Sequence, residues 1–258
     1  MTSAAGFALD VLGAGPAYTD RPGATGAAYL LRARETSIVL DLGQGSFTRL
    51  AGLVEPSTLD AVFVSHLHPD HFIDLVALRH YLRWEFDPHR HVRVVGPAGL
   101  GDRLDALHAD PGFSRAALDV ETLTAGRFRA GAFVVYAARV THTDDSHGFR
   151  VGLAEGPPAP GLVYSGDCAR AEDLDVLVQP GDAILSEVSY GPGPAPTGAP
   201  HIDGPSVGEL ARRTAASRVL LTHLGMGYDV GRTIESVRSR FDGPVELVAP
   251  GDAFTIGP

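Results

Sequence analysis

The run VFVSHLHPDHFIDL constrains this chain more than any other segment. An apolar stretch stops at His66, His68, Asp70 and His71, so four metal-competent side chains fall within six positions. Imidazole and carboxylate are the donor set of a catalytic zinc site, where thiolates would point to a structural one. In an extended chain residues two apart project to the same side, which lets His66 and His68 grip one ion. A turn through Pro69 then lets Asp70 and His71 face a second. Such a cluster is short of donors for two ions, so the fold that carries it must end a strand at a polar pocket and bring further ligands there from distant segments.

The rest of the chain has the strand ends to do so. FALDVLGAG, AAYLLRA, TSIVLDLGQG and LDAVFVSHLH read as four strands separated by glycine-rich turns. FIDLVALRHYLRWEF follows as an amphipathic helix with Ile73, Val76, Ala77, Tyr81 and Trp84 on its apolar side, ended before Pro88. Arg79 and Arg83 fall on its solvated side. Further on, HVRVVGP, ALDVETL, FVVYAARV, GFRVGLA, GLVYSGD, DAILSEVSY, RVLLTHL and a last VELVAPGDAFTI read as strands. GLGDRLDALHAD, AEDLDVLV, SVGELARRTAA and residues 232–241 read as helices. Strands dominate both halves and helices punctuate them, which suits an α/β arrangement of two sheets packed face to face with helices outside, in one domain spanning 1–258. Residues 191–200, GPGPAPTGAP, form a loop just before His201.

Three isolated ligand-type residues each end an apolar run: His142 in ARVTHTDDSHG, Asp167 in VYSGDC and His223 in VLLTHLG. Singly, each is an ordinary strand-end residue; together they complete the donor set that the first cluster lacks. Asp144, Asp145 and His147 are spare candidates beside His142. His80, His89, His91 and His108 read as surface residues without partners, and Cys168 as core packing.

Composition narrows the partners. With 44% hydrophobic and 20% charged residues the chain is an ordinary globular protein. A formal charge of −10 disfavours long polynucleotides and anionic membranes, since binding to phosphates depends on Lys and Arg. No apolar stretch reaches the roughly 20 residues of a membrane span. MTSAAGFALDVLGAG has no basic residue before its apolar run, and a single cysteine allows no internal disulfide. These features point to the cytoplasm.

The H-L-H-P-D-H cluster, followed in order by His142, Ser165-Gly166-Asp167 and Leu221-Thr222-His223, resembles the metallo-β-lactamase superfamily over nearly the whole chain. The opening VLGAGPAYTDRPGATGAAYLLRA and the segment from LSEVSYGPG to VLLTHL are similar to its ribonuclease Z-like phosphodiesterase branch, and most of all to small bacterial members that resemble cyclic-nucleotide phosphodiesterases. The resemblance implies a four-layer αββα sandwich of two mixed sheets. It implies that His66, His68 and His142 hold one zinc, that Asp70, His71 and His223 hold the other, and that Asp167 bridges them over an activated water. Manganese or iron would suit the same donors. Asp70 is a candidate both for ligand and for general base. His201 stands where this branch carries a histidine that protonates the leaving group, with Glu187 to orient it; the plainer alternative is that His201 caps the following helix. Only residues 143–166 separate His142 from Asp167, leaving no room for the glycine- and proline-rich arm of transfer-RNA-processing relatives. A small phosphodiester such as cyclic AMP is therefore the leading substrate. RNA processing, lactone or thioester cleavage and a non-catalytic metal-binding role are the alternatives, and a homodimer is a further expectation.

Overall fold

The structure is a computed structural model that describes residues 6–156 and 158–257; the first five residues of the N-terminal stretch read for targeting lie outside it. In the first half, β1 (Phe7–Gly13), β2 (Ala28–Ala33) and β3 (Thr36–Leu42) lead through the short helix α1 (Phe47–Leu53) to β4 (Ala61–Phe63). Then come α2 (Pro69–Phe72), α3 (Leu75–Trp84), β5 (Val92–Gly96), α4 (Leu100–His108) and β6 (Leu118–Thr122). The second half holds β7 (Gly126–Ala130), β8 (Phe133–Val140), β9 (Ser146–Leu153), β10 (Leu162–Tyr164), β11 (Ala183–Glu187), α5 (Gly204–Arg213), β12 (Arg218–Thr222), α6 (Val230–Arg238), β13 (Val245–Leu247) and β14 (Ala253–Ile256).

These strands form two seven-stranded sheets, ordered β14-β1-β2-β3-β4-β5-β6 and β13-β12-β11-β10-β9-β8-β7. Both are mixed: β3 to β6 run parallel, as do β10 to β13, while the remaining neighbours are antiparallel. Parallel strands covered on both faces need apolar residues on both, which is why SIVLDL and AILSE read as nearly continuous apolar runs. Leu9, Tyr29, Leu40 and Phe63 of the first sheet meet Phe133, Phe149, Tyr164 and Leu185 of the second in a fully enclosed middle layer. The opposite face of the first sheet packs on Leu50, Leu75, Leu78 and Leu104 from the helices, and that of the second on Val207, Leu210 and Val237. The four layers are the αββα sandwich expected from the resemblance.

Several local expectations need correction. VELVAPGDAFTI is two strands: β13 ends the second sheet, Gly251 turns the chain at φ +104°, and β14 joins the first. AEDLDVLV contributes only a 3-10 turn at Ala171–Leu174, and α6 spans 230–238 where 232–241 is expected. Helix α3 buries Leu75, Leu78 and Leu82, while Trp84 is exposed. Both stripes of this helix are apolar by residue type, and the leucine stripe is the one that meets the sheet. Arg79 is buried with it, its Nε donating to the Phe113 carbonyl at 2.7 Å and its guanidinium lying 4.0 Å from the Phe113 ring centre. Strand β7 and helix α1 have no counterpart in the sequence reading. No helix among the described residues is long and apolar enough to cross a membrane.

Candidate metal centre

The donors converge where the parallel strands of both sheets end, the edge at which open α/β sheets bind ligands. The chain leaving β4 carries His66 and His68, and Pro69 occupies the first position of α2, which presents Asp70 and His71. His142 follows β8 and Asp167 follows β10; Glu187 is the last residue of β11, and His223 follows β12. The turn to Asp167 requires a glycine: Gly166 has φ +56°, and a Cβ there would lie 2.8 Å from the His147 carbonyl oxygen. His223 itself takes φ +54°, an uncommon conformation for a non-glycine, held by its N–H donating to the Ala14 carbonyl at 2.9 Å.

Two sets of donors result, and a third group, Asp167, His201 and His223, overlaps both. His66, His68, His142 and Asp167 have ligand atoms within 4.8 Å of one another, as do Asp70, His71 and His223. Asp167 faces both, with Oδ2 3.7 Å from Nε2 of His66 and of His142, and Oδ1 3.3 Å from Nε2 of His71 and 3.4 Å from that of His223. His66 Nε2, His71 Nε2 and Asp167 Oδ1 are buried without a hydrogen-bond partner. Buried polar atoms left unpaired are costly, and here they point at common foci, which is the arrangement cations would satisfy.

The other ring nitrogens are occupied, so the inward ones can turn a lone pair to a cation by giving up a proton. His71 Nδ1 donates to Asp41 at 2.7 Å, His66 Nδ1 contacts Ser65 Oγ at 3.0 Å, His142 Nδ1 donates to the Pro200 carbonyl at 2.8 Å, and His223 Nδ1 contacts Ser189 Oγ at 3.0 Å. Fixing one nitrogen as donor leaves the other as a lone pair, the usual support for a metal-binding histidine. His68 differs: it is exposed and turns Nδ1 toward His142 Nε2 at 3.1 Å.

Burial and the neighbouring ionisable groups set the ionisation. Burial, reinforced by His71, pushes the His66 imidazolium well below its ordinary value, toward the neutral form a ligand needs. Burial would raise the Asp167 carboxyl, but His223, His71 and His66 around it hold it well below the carboxylate range. At Asp70 burial is likewise outweighed, by the hydrogen-bonded His223 and by His71, and its carboxyl is lowered.

His201 closes the open side. Its Nδ1 donates to Glu187 Oε1 at 2.9 Å and lies 3.9 Å from Asp167 Oδ2. Burial opposes its charge, but the Glu187 carboxylate and then Asp167 prevail and raise its pKa. The helix-capping alternative fails: Asp203 is the N-cap of α5, accepting from Ser206 N at 3.0 Å. Glu187 is fully buried and also accepts from Cys168 N at 2.7 Å and from Ser189 Oγ at 2.6 Å. Asp203, Ser189, Ser65 and Asp41 are absent from the sequence reading. Asp41 had a signal, a carboxylate inside the apolar run SIVLDL of a strand buried on both faces.

The spare candidates lie elsewhere. His147 is buried with neither ring nitrogen hydrogen-bonded, its Nδ1 3.7 Å from Asp145 Oδ1, and belongs to neither donor set, while Asp145 accepts from the Ala98 N–H. The remaining histidines are exposed but paired: His80 with His108 at 3.3 Å, His89 with Arg83 at 3.0 Å and His91 with Asp119 at 2.9 Å. Cys168 packs in the core, and burial raises its thiol pKa.

A cavity of about 580 Å³ opens above His68, Asp70, Asp167, His201 and His223. No arginine lines it among the described residues, and the chain has no lysine.

A family profile described as a beta-lactamase superfamily domain matches residues 39–224. An uncharacterized protein of Mycobacterium leprae is 31% identical over 244 residues, covering 91% of this chain and 84% of its own. The crystal structure of the metallo-beta-lactamase fold protein YhfI from Bacillus subtilis is similar with a TM-score of 0.84 at 19% identity, covering 97% of this chain and 99% of that one. Human tRNase Z, short form, is similar with a TM-score of 0.73 at 22% identity, covering 96% and 98%.

Proposed function

The chain belongs to the beta-lactamase superfamily and is a metal-dependent hydrolase, and from that premise we propose that it cleaves small phosphodiesters, cyclic nucleotides such as cyclic AMP foremost, with two divalent cations, zinc first among them. The observation that carries this reading is the His201–Glu187 pair on the open side of the centre. Hydrolysis of an alkyl phosphodiester expels an alkoxide, which needs a proton as it leaves; a thioester or aryl ester, with a stabilised leaving group, does not, whereas a lactone does and is separated by the assay below. The pair provides a proton-bearing ring, oriented by a buried carboxylate, beside the donors that would hold the reacting group.

His66, His68 and His142 would hold one cation and Asp70, His71 and His223 the other, with Asp167 shared. When bound, the cations supply an ionised water near neutral pH and neutralise charge on the phosphoryl oxygens. Glu187 keeps the His201 ring in one orientation by accepting its Nδ1 proton, which leaves Nε2 to protonate the departing oxygen. Asp70, within 3.2 Å of His223 Nε2 and lining the cavity, would accept a proton from the attacking water as well as serve as a ligand. The arginine-free cavity supports a substrate with one phosphate over RNA, whose backbone would call for several cationic contacts.

The test compares bis(p-nitrophenyl) phosphate with a p-nitrophenyl carboxylic ester and a lactone, using protein loaded with two equivalents of zinc or manganese, followed by cyclic AMP. Preference for the diesters is expected. The His201→Ala variant should lose roughly 10²–10⁴ of its cyclic AMP turnover with metal still bound, and far less on the nitrophenyl diester, whose leaving group barely needs a proton. A preference for the carbonyl substrates, or full cyclic AMP turnover by His201→Ala, overturns the reading.

A further inference from the structure

Three large side chains that face water line the same cavity: Tyr18 is 74% exposed, Met226 53% and Tyr228 37%. Apolar surface gathered at one concave place marks ligand contact, whereas single exposed apolar residues elsewhere carry no such meaning. Pro16 and Pro69 extend the same wall.

The wall is held in place by its own contacts. Arg21, from the loop that carries Tyr18, donates through Nη1 to the Leu224 carbonyl at 2.8 Å and through Nη2 to the Tyr228 carbonyl at 3.0 Å, tying that loop to the one bearing Met226 and Tyr228. The Tyr228 ring rests on backbone: a Cβ at Gly191 would lie 2.6 Å from it and one at Gly225 3.3 Å. Gly191 also sits at φ +51°, so both its conformation and the ring above it favour glycine. The Tyr228 ring therefore has a fixed seat, and Arg21 is used up in positioning the wall and does not offer its charge to a ligand.

From this juxtaposition we propose that Tyr18, Met226 and Tyr228 form a subsite for a planar aromatic group of the nucleobase class, carried by a substrate whose single phosphate lies over the histidine–aspartate floor. The phosphate end rests on the phosphodiesterase reading; the aromatic end rests on the wall alone. Ring faces and the methionine sulfur attract any base through stacking and dispersion. With no charged side chain in the wall among the described residues, the subsite selects a flat ring over its absence and selects little between bases.

The test is calorimetric titration of the zinc-loaded full-length protein with adenosine 5′-monophosphate and with ribose 5-phosphate, which share the phosphate and differ in the base. Adenosine 5′-monophosphate should bind roughly ten- to a hundredfold more tightly. The ratio should fall toward one in Tyr18→Ala, whose residue is too exposed to matter for folding, and in Tyr228→Leu, which keeps most of the volume. Equal affinities in the parent protein, no binding of either probe at millimolar concentration, or a ratio that survives both substitutions overturns the subsite. A base preference in a protein that hydrolyses no diester leaves the subsite standing and removes the phosphodiesterase reading; diester hydrolysis without a base preference does the reverse.

Discussion

Replacing Asp41 by Asn tests the claim that one buried carboxylate beneath the centre holds its histidines in register. Asp41 Oδ2 accepts from His71 Nδ1 at 2.7 Å, Ser65 Oγ at 2.8 Å and the Tyr164 hydroxyl at 2.7 Å, while Oδ1 accepts from Ser65 N at 2.6 Å. An amide brings donors to a place surrounded by donors. Turned with its nitrogen at Oδ1 it confronts the Ser65 N–H; turned the other way it confronts three groups, so the first orientation is the cheaper. It strands the Ser65 N–H and the amide's own N–H, at about 1–3 kcal/mol each, and converts three charge-assisted bonds to neutral ones of about half the strength. Together these cost at least about 4 kcal/mol. The backbone does not confuse the result, because Asp41 has φ +56° and asparagine tolerates that conformation as readily as aspartate. Urea unfolding of the metal-free proteins reads the stability, and competition with a chromophoric chelator reads zinc affinity, which should fall about 10–100-fold as His71 loses its orienting partner. Destabilisation below about 1 kcal/mol with unchanged zinc affinity would refute the reasoning.

Two further outcomes follow from charges away from the centre. Arg150 and Asp182 form a buried two-point ion pair, at 2.7 and 2.9 Å, with Gly161 N and Gln179 N completing the carboxylate; Arg150→Met should cost about 3–5 kcal/mol in urea unfolding, because it leaves a buried charge unpaired. Asp105 accepts from the N–H groups of Gly112 and Ser114 and from the Ser114 hydroxyl, and although burial would raise its carboxyl these bonds lower it. A lowered folded-state value stabilises above the unfolded-state value and loses that contribution as pH falls through it. Asp105→Asn should thus be less stable by about 1 kcal/mol at pH 7, with the gap to the parent narrowing below about pH 4 in thermal melts.

The parts of the molecule legible in the sequence are those whose chemistry is local. His66, His68, Asp70 and His71 stand close together, so their spacing alone announces a polar pocket at a strand end, and the apolar runs of β3, β11 and β12 announce buried strands. Ser65, Ser189 and Tyr164 are invisible at that level, since each is a common residue that gains its part only when distant segments meet. The misread face of α3 has a different origin: leucines and the Val76–Tyr81 stripe are both apolar, and periodicity does not say which meets the sheet. Strand β7, GRFRA, alternates arginine with small or aromatic residues at a sheet edge, where one side faces water and the apolar signal is halved. The division of VELVAPGDAFTI was readable, because Pro250 and Gly251 interrupt it, and neither belongs inside a strand.

The centre divides by sheet. Asp41, His66, His68, Asp70 and His71 come from the first, and His142, Asp167, Glu187, His201 and His223 from the second. Each half has one buried carboxylate that orients histidines. Asp41 holds His71 directly and His66 through Ser65; Glu187 holds His201 directly and His223 through Ser189. Each half can therefore set its own rings, but neither donor set lies within one half: His142 and Asp167 complete the group around His66 and His68, and His223 completes that around Asp70 and His71. Cations held there would join the two sheets across the middle layer, so their binding free energy would add to the stability of the packed sandwich. Nor does the shared Asp167 belong to one site alone. Its two oxygens face opposite sets, so losing that carboxylate would weaken both cations, while losing His68, which is exposed and serves one set only, would weaken one.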